Sequence, residues 1–404
     1  MMRQIFALQL LLLVLSVFIS GQKDMSAAAK PLSRRPSPIS VLPYDVAFLG
    51  IVFVQGMVDE HAAFLLFDTG GRETLNSRWL QSAHLQAKSG YQASGAGPAM
   101  VQASMLSHAS WRIGAAQVEA NAVVIDLRSL EAVFGRTIDG IIGTNFLGRY
   151  VVELDPKTQQ FRVYDPGTFQ PLAGAVPVPL EFDRNGYAGI QATLQFGGKA
   201  TSGKFTIDSG LNGAVDVYRP FAQKKGLPVH PAELDELSNG IGGQRHNRLE
   251  RATELRMGGF VLRGPVVAFN DTDDGPSAHE YAGLVGMETL QRFVVAFDFP
   301  HKRMYLSPLP TIVDPFGYER SGLRLQAAGP GFDRVEIVRV VSGSAAERAG
   351  VRPGDRLLQV DGRDAGKLGL EMIRQKSHNQ QTLDLVLERN GKEIEAHLVL
   401  TPLL

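Results

Sequence analysis

Short runs of Val, Ile, Phe and Leu alternate with Gly- and Asn-containing turns from about residue 44 onward, and few stretches carry helical spacing. This pattern predicts a mainly β protein. It also repeats itself along the chain. The apolar run Ala62 to Phe67 leads into Asp68-Thr69-Gly70, and Lys204 to Ile207 leads into Asp208-Ser209-Gly210, 140 positions later (208 − 68). An earlier strand and turn precede each, Ile51 to Gly56 and Gln191 to Gly197. Downstream, Ile141-Ile142-Gly143 matches Leu284-Val285-Gly286 at an offset of 143 (286 − 143), and Tyr150 to Asp155 matches Phe293 to Asp298 at the same offset. Matched stations in one order predict an internally duplicated, two-lobed β unit, with halves at residues 44–166 and 176–309 joined by Pro166 to Pro179.

The ends of the chain differ from this unit. Arg3 precedes an apolar run from Ile5 to Ile19, followed by polar residues and Ser26-Ala27-Ala28-Ala29. That order predicts a secretory signal peptide over residues 1–29, cut after Ala29 or near Gly21; an uncleaved membrane anchor is the alternative. No other segment approaches the length of a membrane span, so the mature protein is expected to be periplasmic or extracellular, with no span after cleavage. Residues 30–43, rich in Pro, Ser and Arg, are expected to form a linker. At the other end, Gly343 to Gly362 predicts a short helix, a turn, a strand and a tight turn. A helix from Leu368 to Ser377 and strands Thr382 to Arg389 and Glu393 to Leu400 complete a small α+β module over residues 317–404.

Composition narrows the chemistry. Lys and Arg number 41 against 41 Asp and Glu among 404 residues, so no basic face advertises a nucleic-acid partner. The absence of cysteine excludes a thiol nucleophile, thiolate metal sites and disulfides. The histidines lack paired ligand spacing; His279-Glu280 begins like a zinc-protease motif, but no histidine follows where one is required. A nucleophile elbow and a complete phosphate-binding glycine loop are also missing.

What remains is the pair of aspartates. A carboxylate at the end of a buried strand is costly unless it is hydrogen-bonded or shares a proton. The glycine after it permits a tight turn, which brings backbone N–H groups to the carboxylate. Two such turns brought together would set one carboxylate beside another, and the pair could not fully ionise; this is the behaviour of aspartic proteases.

Asp68-Thr69-Gly70 and Asp208-Ser209-Gly210, each with its downstream station, resemble retropepsin-like and pepsin-like aspartic peptidases over residues 44–309. The resemblance implies that Asp68 and Asp208 are the catalytic dyad, needing no metal or cofactor, with a peptide or unfolded protein as substrate. It implies that Thr69 and Ser209 bond across the lobe interface, that Gly70 and Gly210 supply the turns, and that Ile142, Gly143, Val285 and Gly286 support them. A flap hairpin over the cleft is also implied, and the glycine-rich Ser94 to Gly97 and Asn239 to Gly243 are candidates for flap tips. Both halves depart from the family after the turn, with Gly71-Arg72-Glu73-Thr74 in one and Leu211-Asn212 in the other. Arg72 either acts on a carboxylate, of the dyad or of substrate, or points to solvent beside Glu73. The departures leave open a catalytically silent, peptide-binding or scaffolding relative of the cell envelope. Since each half supplies one aspartate, a monomer suffices.

The run from Gly343 to Gly362, with its Ala349-Gly350 and Pro353-Gly354-Asp355, resembles the PDZ domains of bacterial exported proteases. Such domains add a peptide strand to a sheet edge and hold its carboxylate in a nest of N–H groups. The nest is expected at Arg320-Ser321-Gly322-Leu323, with Arg324-Leu325-Gln326 as the pairing strand; Gly329 to Phe332 is a rival. The module binds a peptide or protein partner, or else only packs on the rest of the chain.

Overall fold

In the computed structural model of the protein, residues 35–227, 234–271 and 280–404 are described, except for the side chains of residues 235, 237 and 239. The expected signal segment, the linker as far as residue 34, and His279 lie outside them. The protein is mainly β and ends in a small module with one longer helix.

In the first half, β1 (Ile51–Val58) and β2 (His61–Phe67) form a hairpin. Asp59 and Glu60 at its turn both take positive φ (45° and 63°), the geometry that matches the twist of a two-residue hairpin loop. Then come β3 (Thr74–Asn76), β4 (Lys88–Ala93), β5 (Val101–Ile113) and β6 (Ala116–Ile125), helix α1 (Arg128–Phe134), β7 (Gly140–Ile142) and helix α2 (Thr144–Arg149). Their sheet runs β1-β2-β7-β3-β6-β5-β4, with Asp45–Ala47 added beside β1. The second half has β8 (Ala188–Phe196), β9 (Lys199–Ile207), β10 (Val215–Val217), β11 (Asp235–Gly240), β12 (Gly243–Arg251), β13 (Val266–Asn270), β14 (Gly283–Val285) and helix α3 (Met287–Leu290). Its sheet includes the path β8-β9-β14-β10-β13-β12-β11, the same order shifted by seven strands. The senses agree too. The pairs β2–β7 and β9–β14 are parallel, and Phe67 faces Ile142 as Ile207 faces Val285.

A third sheet joins the halves. Its central strands, Val151–Asp155 and Phe293–Asp298, pair antiparallel with Val152 opposite Phe297. These are the two stretches that the sequence matches at an offset of 143. One apolar core runs through both halves. Phe67 links them, with its ring edge-on to Phe161 at 5.2 Å and tilted against Phe297 at 5.8 Å.

The C-terminal module contains β15 (Leu323–Ala328), β16 (Arg334–Val340), β17 (Arg356–Val360), helix α4 (Ala365–Asn379), β18 (Thr382–Arg389) and β19 (Lys392–Val399), ordered β15-β16-β17-β18-β19 in its sheet. β15 is therefore an edge strand and β16 an interior one. α4 begins earlier than the apolar spacing suggests, because Asp364 caps it by accepting from the Lys367 N–H (2.8 Å), and the turn breaks again at Gly369 (φ 74°). The module has its own core around Val335, Ile373 and Leu383. The stretch leading to it is fastened to the second half. Arg292 donates to Thr311 O and Asp314 O (3.1 and 2.6 Å) and stacks on Phe316, and Arg251 donates to Phe316 O (2.8 Å).

Candidate active site

Asp68 and Asp208 each follow directly on a buried strand, and each is held first by its backbone. The Asp68 N–H donates to Ile142 O and the Asp208 N–H to Val285 O, both at 3.0 Å, so the parallel neighbours β7 and β14 set where each aspartate emerges. Hydroxyls then tie the two turns together. The Thr69 N–H donates to Ser209 Oγ (2.9 Å) and the Ser209 N–H to Thr69 Oγ1 (3.0 Å). Each hydroxyl passes its own proton onward, Thr69 to Ile207 O (2.7 Å) and Ser209 to Phe67 O (2.9 Å). Both residues are fully buried, so these four bonds form without competition from water.

The glycines do two jobs. Gly70 N–H donates to Asp68 Oδ1 and Gly210 N–H to Asp208 Oδ1, each at 2.8 Å, and Leu211 N–H adds a bond to Asp208 (3.1 Å). They also let the turns touch. A Cβ on Gly70 would lie 2.8 Å from Asp208 Cγ, and one on Gly210 would lie 2.7 Å from Asp68 Cγ. Each aspartate thus packs on the other's glycine, and the carboxyls share a side-chain hydrogen bond. Both are partly open to the surface yet closely surrounded by protein. That burial lifts the Asp68 carboxyl well above the usual range, and the Asp208 charge lifts it further; burial raises Asp208 as well. The pair therefore holds its shared proton more tightly than isolated carboxyls would.

The supporting stations pack against these turns. A Cβ on Gly143 would meet Gly71 O at 2.3 Å, and one on Gly286 would meet Gly213 O at 2.3 Å, so both positions need glycine. Ile142 and Val285 are fully buried. Glu73 does not face solvent. It is buried and accepts from the N–H groups of Gly143, Asn145 and Phe146 (3.3, 3.2 and 2.9 Å), anchoring the start of α2 to the Asp68 turn. Arg72 is exposed, as one of its two expected places has it, but does not lie free beside Glu73. It crosses to the second half, donating to Asn185 O (2.7 Å) and hydrogen-bonding Tyr187, whose hydroxyl burial makes less acidic.

The two glycine-rich stretches lie at hairpin ends and meet. Gly97 N–H donates to Ile241 O (2.7 Å) and Ala99 N–H to Gly242 O (3.0 Å). A Cβ on Gly97 would come within 2.3 Å of Gly242 C, so the tips interlock through bare backbone.

Some neighbours were invisible in the sequence. Asp216 on β10 is buried, and burial pushes its carboxyl up to about 7, with Arg245 on β12 pulling it back and the Asp208 charge adding to the rise. Tyr218 is buried within reach of the same charges. An apolar strand with one aspartate looks like any half-exposed strand, so nothing in the spacing signalled this. Among the described residues no group of three or more Asp, Glu or His is placed to hold a metal ion.

In the C-terminal module, Ser321 and Gly322 form the bend that leads into edge strand β15, which begins at Leu323 and continues through Arg324 and Leu325. The N–H groups of the turn are already taken. Ser321 and Gly322 donate to the Glu319 carboxylate (2.6 and 2.8 Å), and Leu323 donates to Ser321 Oγ (3.0 Å). The rival stretch, Gly329 to Phe332, is the β15–β16 connection.

Family models match two parts of the chain. Residues 192–289 match the family model described as aspartyl protease, and residues 336–389 match that of the PDZ domain. The first match includes Asp208 and Gly286. No curated protein matches the chain. Among solved structures, a photosystem II D1 C-terminal processing protease aligns at 24% identity over 20% of this chain and 22% of that one, with a TM-score of 0.19.

Proposed function

We propose that this chain, which carries an aspartyl protease domain and a C-terminal PDZ domain, is an endopeptidase in which Asp68 and Asp208 act on one water. The observation that carries this is the reciprocal bonding of Thr69 and Ser209, which sets each aspartate against the other's glycine. The matching sheet orders support the reading that Asp68 serves the first half as Asp208 serves the second, by internal duplication.

With one proton between them, the ionised carboxyl takes a proton from a water held between the two, and the water oxygen attacks the scissile carbonyl carbon. The protonated carboxyl hydrogen-bonds to the carbonyl oxygen and gives up its proton as that oxygen becomes a hydroxyl. The resulting gem-diol collapses to the new acid as one of its hydroxyls returns a proton to the carboxylate that had given one up, and the amine leaves with the proton first drawn from water. One aspartate is again protonated and the other ionised, so the cycle closes without a covalent intermediate. The N–H groups of Gly70, Gly210 and Leu211 stabilise whichever carboxyl is ionised.

The hairpin tips at residues 94–97 and 240–243 serve as flaps that part to admit an extended peptide. The Ile5–Ile19 run supports export, and one chain supplies both aspartates, so a monomer is the working unit. The test is digestion of a denatured protein by wild type and Asp208→Asn, with and without pepstatin. Cleavage lost in the variant and suppressed by pepstatin is expected. A folded wild type that leaves the substrate intact across the acidic and neutral range overturns the proposal.

A further inference from the structure

A PDZ domain needs an open edge strand and free N–H groups, and here both are engaged by the chain itself. Glu319 lays its carboxylate across Ser321 and Gly322 N–H, where a peptide's terminal carboxylate would lie. From α4, Arg374 reaches over the groove to Leu325 O on β15 (3.1 Å). The protease surface closes the rest. α1 packs on β15, and the cap of α1 at Gly135 sits against Leu370 of α4. The Phe48 N–H donates to Glu371 (2.6 Å), and the Phe48 ring lies 4.6 Å from the Arg374 guanidinium.

The same residues reach the β11–β12 hairpin, whose tip meets residues 97–99. Arg324 bonds to Glu319 through Nη1 (3.0 Å) and to Glu236 on β11 through Nε (2.6 Å) and Nη2. Tyr318 donates to Glu236 as well (2.7 Å). Arg324 and Glu236 are both largely buried, so this bridge is poorly screened. One arginine thus joins the carboxylate in the nest to a strand of the flap hairpin.

We propose that the PDZ groove is a self-occupied latch: a peptide with a free C-terminal carboxylate enters by displacing Glu319 together with the Arg374 and α1 contacts over the groove, and through Arg324 this releases the β11–β12 hairpin. The exchange is balanced in charge, one carboxylate for another on the same N–H groups. Once Glu319 leaves, the anion that Arg324 meets through Nη1 changes from a tethered side chain to the end of a separate peptide, and its hold on Glu236 must rearrange. The groove then reports the arrival of a carboxyl-terminated chain, such as a newly cut product or a protein end, to the hairpin. The effect on turnover rests on the peptidase reading above; the latch itself does not.

The test therefore uses the full chain carrying Asp208→Asn, which leaves the probe intact. The probe is a fluorescein-labelled hexapeptide ending in Val-Val-Leu with a free carboxylate, beside its amidated twin. Anisotropy is expected to give weak binding by the parent, about tenfold tighter binding after Glu319→Gln, and an intermediate gain after Glu236→Gln, since opening a mostly closed site raises apparent affinity by the inverse of the open fraction. Hydrogen exchange of residues 235–251 is expected to rise when the probe binds. Equal affinity in all three proteins, no binding by any, equal binding of the amidated twin, or unchanged exchange in the hairpin would each overturn the latch. Should Glu319→Gln unfold the module, Glu236→Gln carries the comparison. A chain that proves inert as a peptidase leaves these readouts as they are, so the two proposals fail separately.

Discussion

Replacing Ser209 with alanine should weaken a half of the molecule in which Ser209 does not lie. The substitution removes one oxygen that accepts from Thr69 N–H and donates to Phe67 O, both at 2.9 Å. Phe67 and Thr69 are fully buried, so no water replaces the lost partner. A buried polar group left unsatisfied costs roughly 1–3 kcal/mol, and two are stranded here, so the expected loss is about 2–6 kcal/mol. The chain has two tryptophans, Trp79 and Trp111, both in the first half. Urea unfolding followed by their fluorescence therefore reads the first half while the substitution sits in the second. The midpoint should fall, and Thr69→Val, which removes the mirror-image bonds to Ile207 O and Ser209 N–H, should produce a loss of similar size. Ser209→Thr, which keeps the oxygen, should lose much less. A Ser209→Ala shift below about 0.5 kcal/mol, the range of an ordinary surface change, would refute the reasoning that these hydroxyls bind the halves together.

Two further outcomes follow from the site. Gly70→Ala and Gly210→Ala each push a Cβ to under 3 Å from the opposite carboxyl; peptide turnover should drop by about 100-fold, as expected for misplaced reacting groups, and turnover near the wild-type rate would contradict the packing. Asp216 gives the protein a pH slope. Its carboxyl is pushed from 3.8 up to about 7, so between those values the folded state keeps a proton that the unfolded state has lost, and stability falls as pH rises. About three pH units at roughly 1.4 kcal/mol each make that loss about 4 kcal/mol. Asp216→Asn should flatten the decline in urea stability between about pH 4 and 7, and an unchanged slope would show that Asp216 titrates elsewhere.

The elements that local pattern controls were legible in the sequence. The apolar runs before Asp68 and Asp208 are β2 and β9, and the Gly-apolar-apolar stations are their parallel neighbours, with Ile142 and Val285 in matching register. Strand β18 spans Thr382–Arg389, where alternation placed it. What could not be read depends on contacts between distant segments. Arg72 was open between a carboxylate and solvent; it is exposed, and what the sequence did not show is its bond to Asn185 O, 113 residues away. Glu319 precedes the expected nest and looks like a surface charge; the turn at Gly322, with φ at 81°, curls the N–H groups back onto it. The buried neighbourhood of Asp216 and Arg245 arises from two strands that do not touch in sequence, so no spacing rule exposes it.

The most direct test of the central claim is the rate at which Asp68→Asn cleaves a peptide library, relative to wild type, across the acidic and neutral range. Wild type should cut within this window and lose activity as the last shared proton leaves. Asp68→Asn should be slower by at least ~100-fold at every pH, the scale of a lost general acid or base. Cleavage by Asp68→Asn at the wild-type rate would contradict the account, because Asp68 would then have no part in the chemistry.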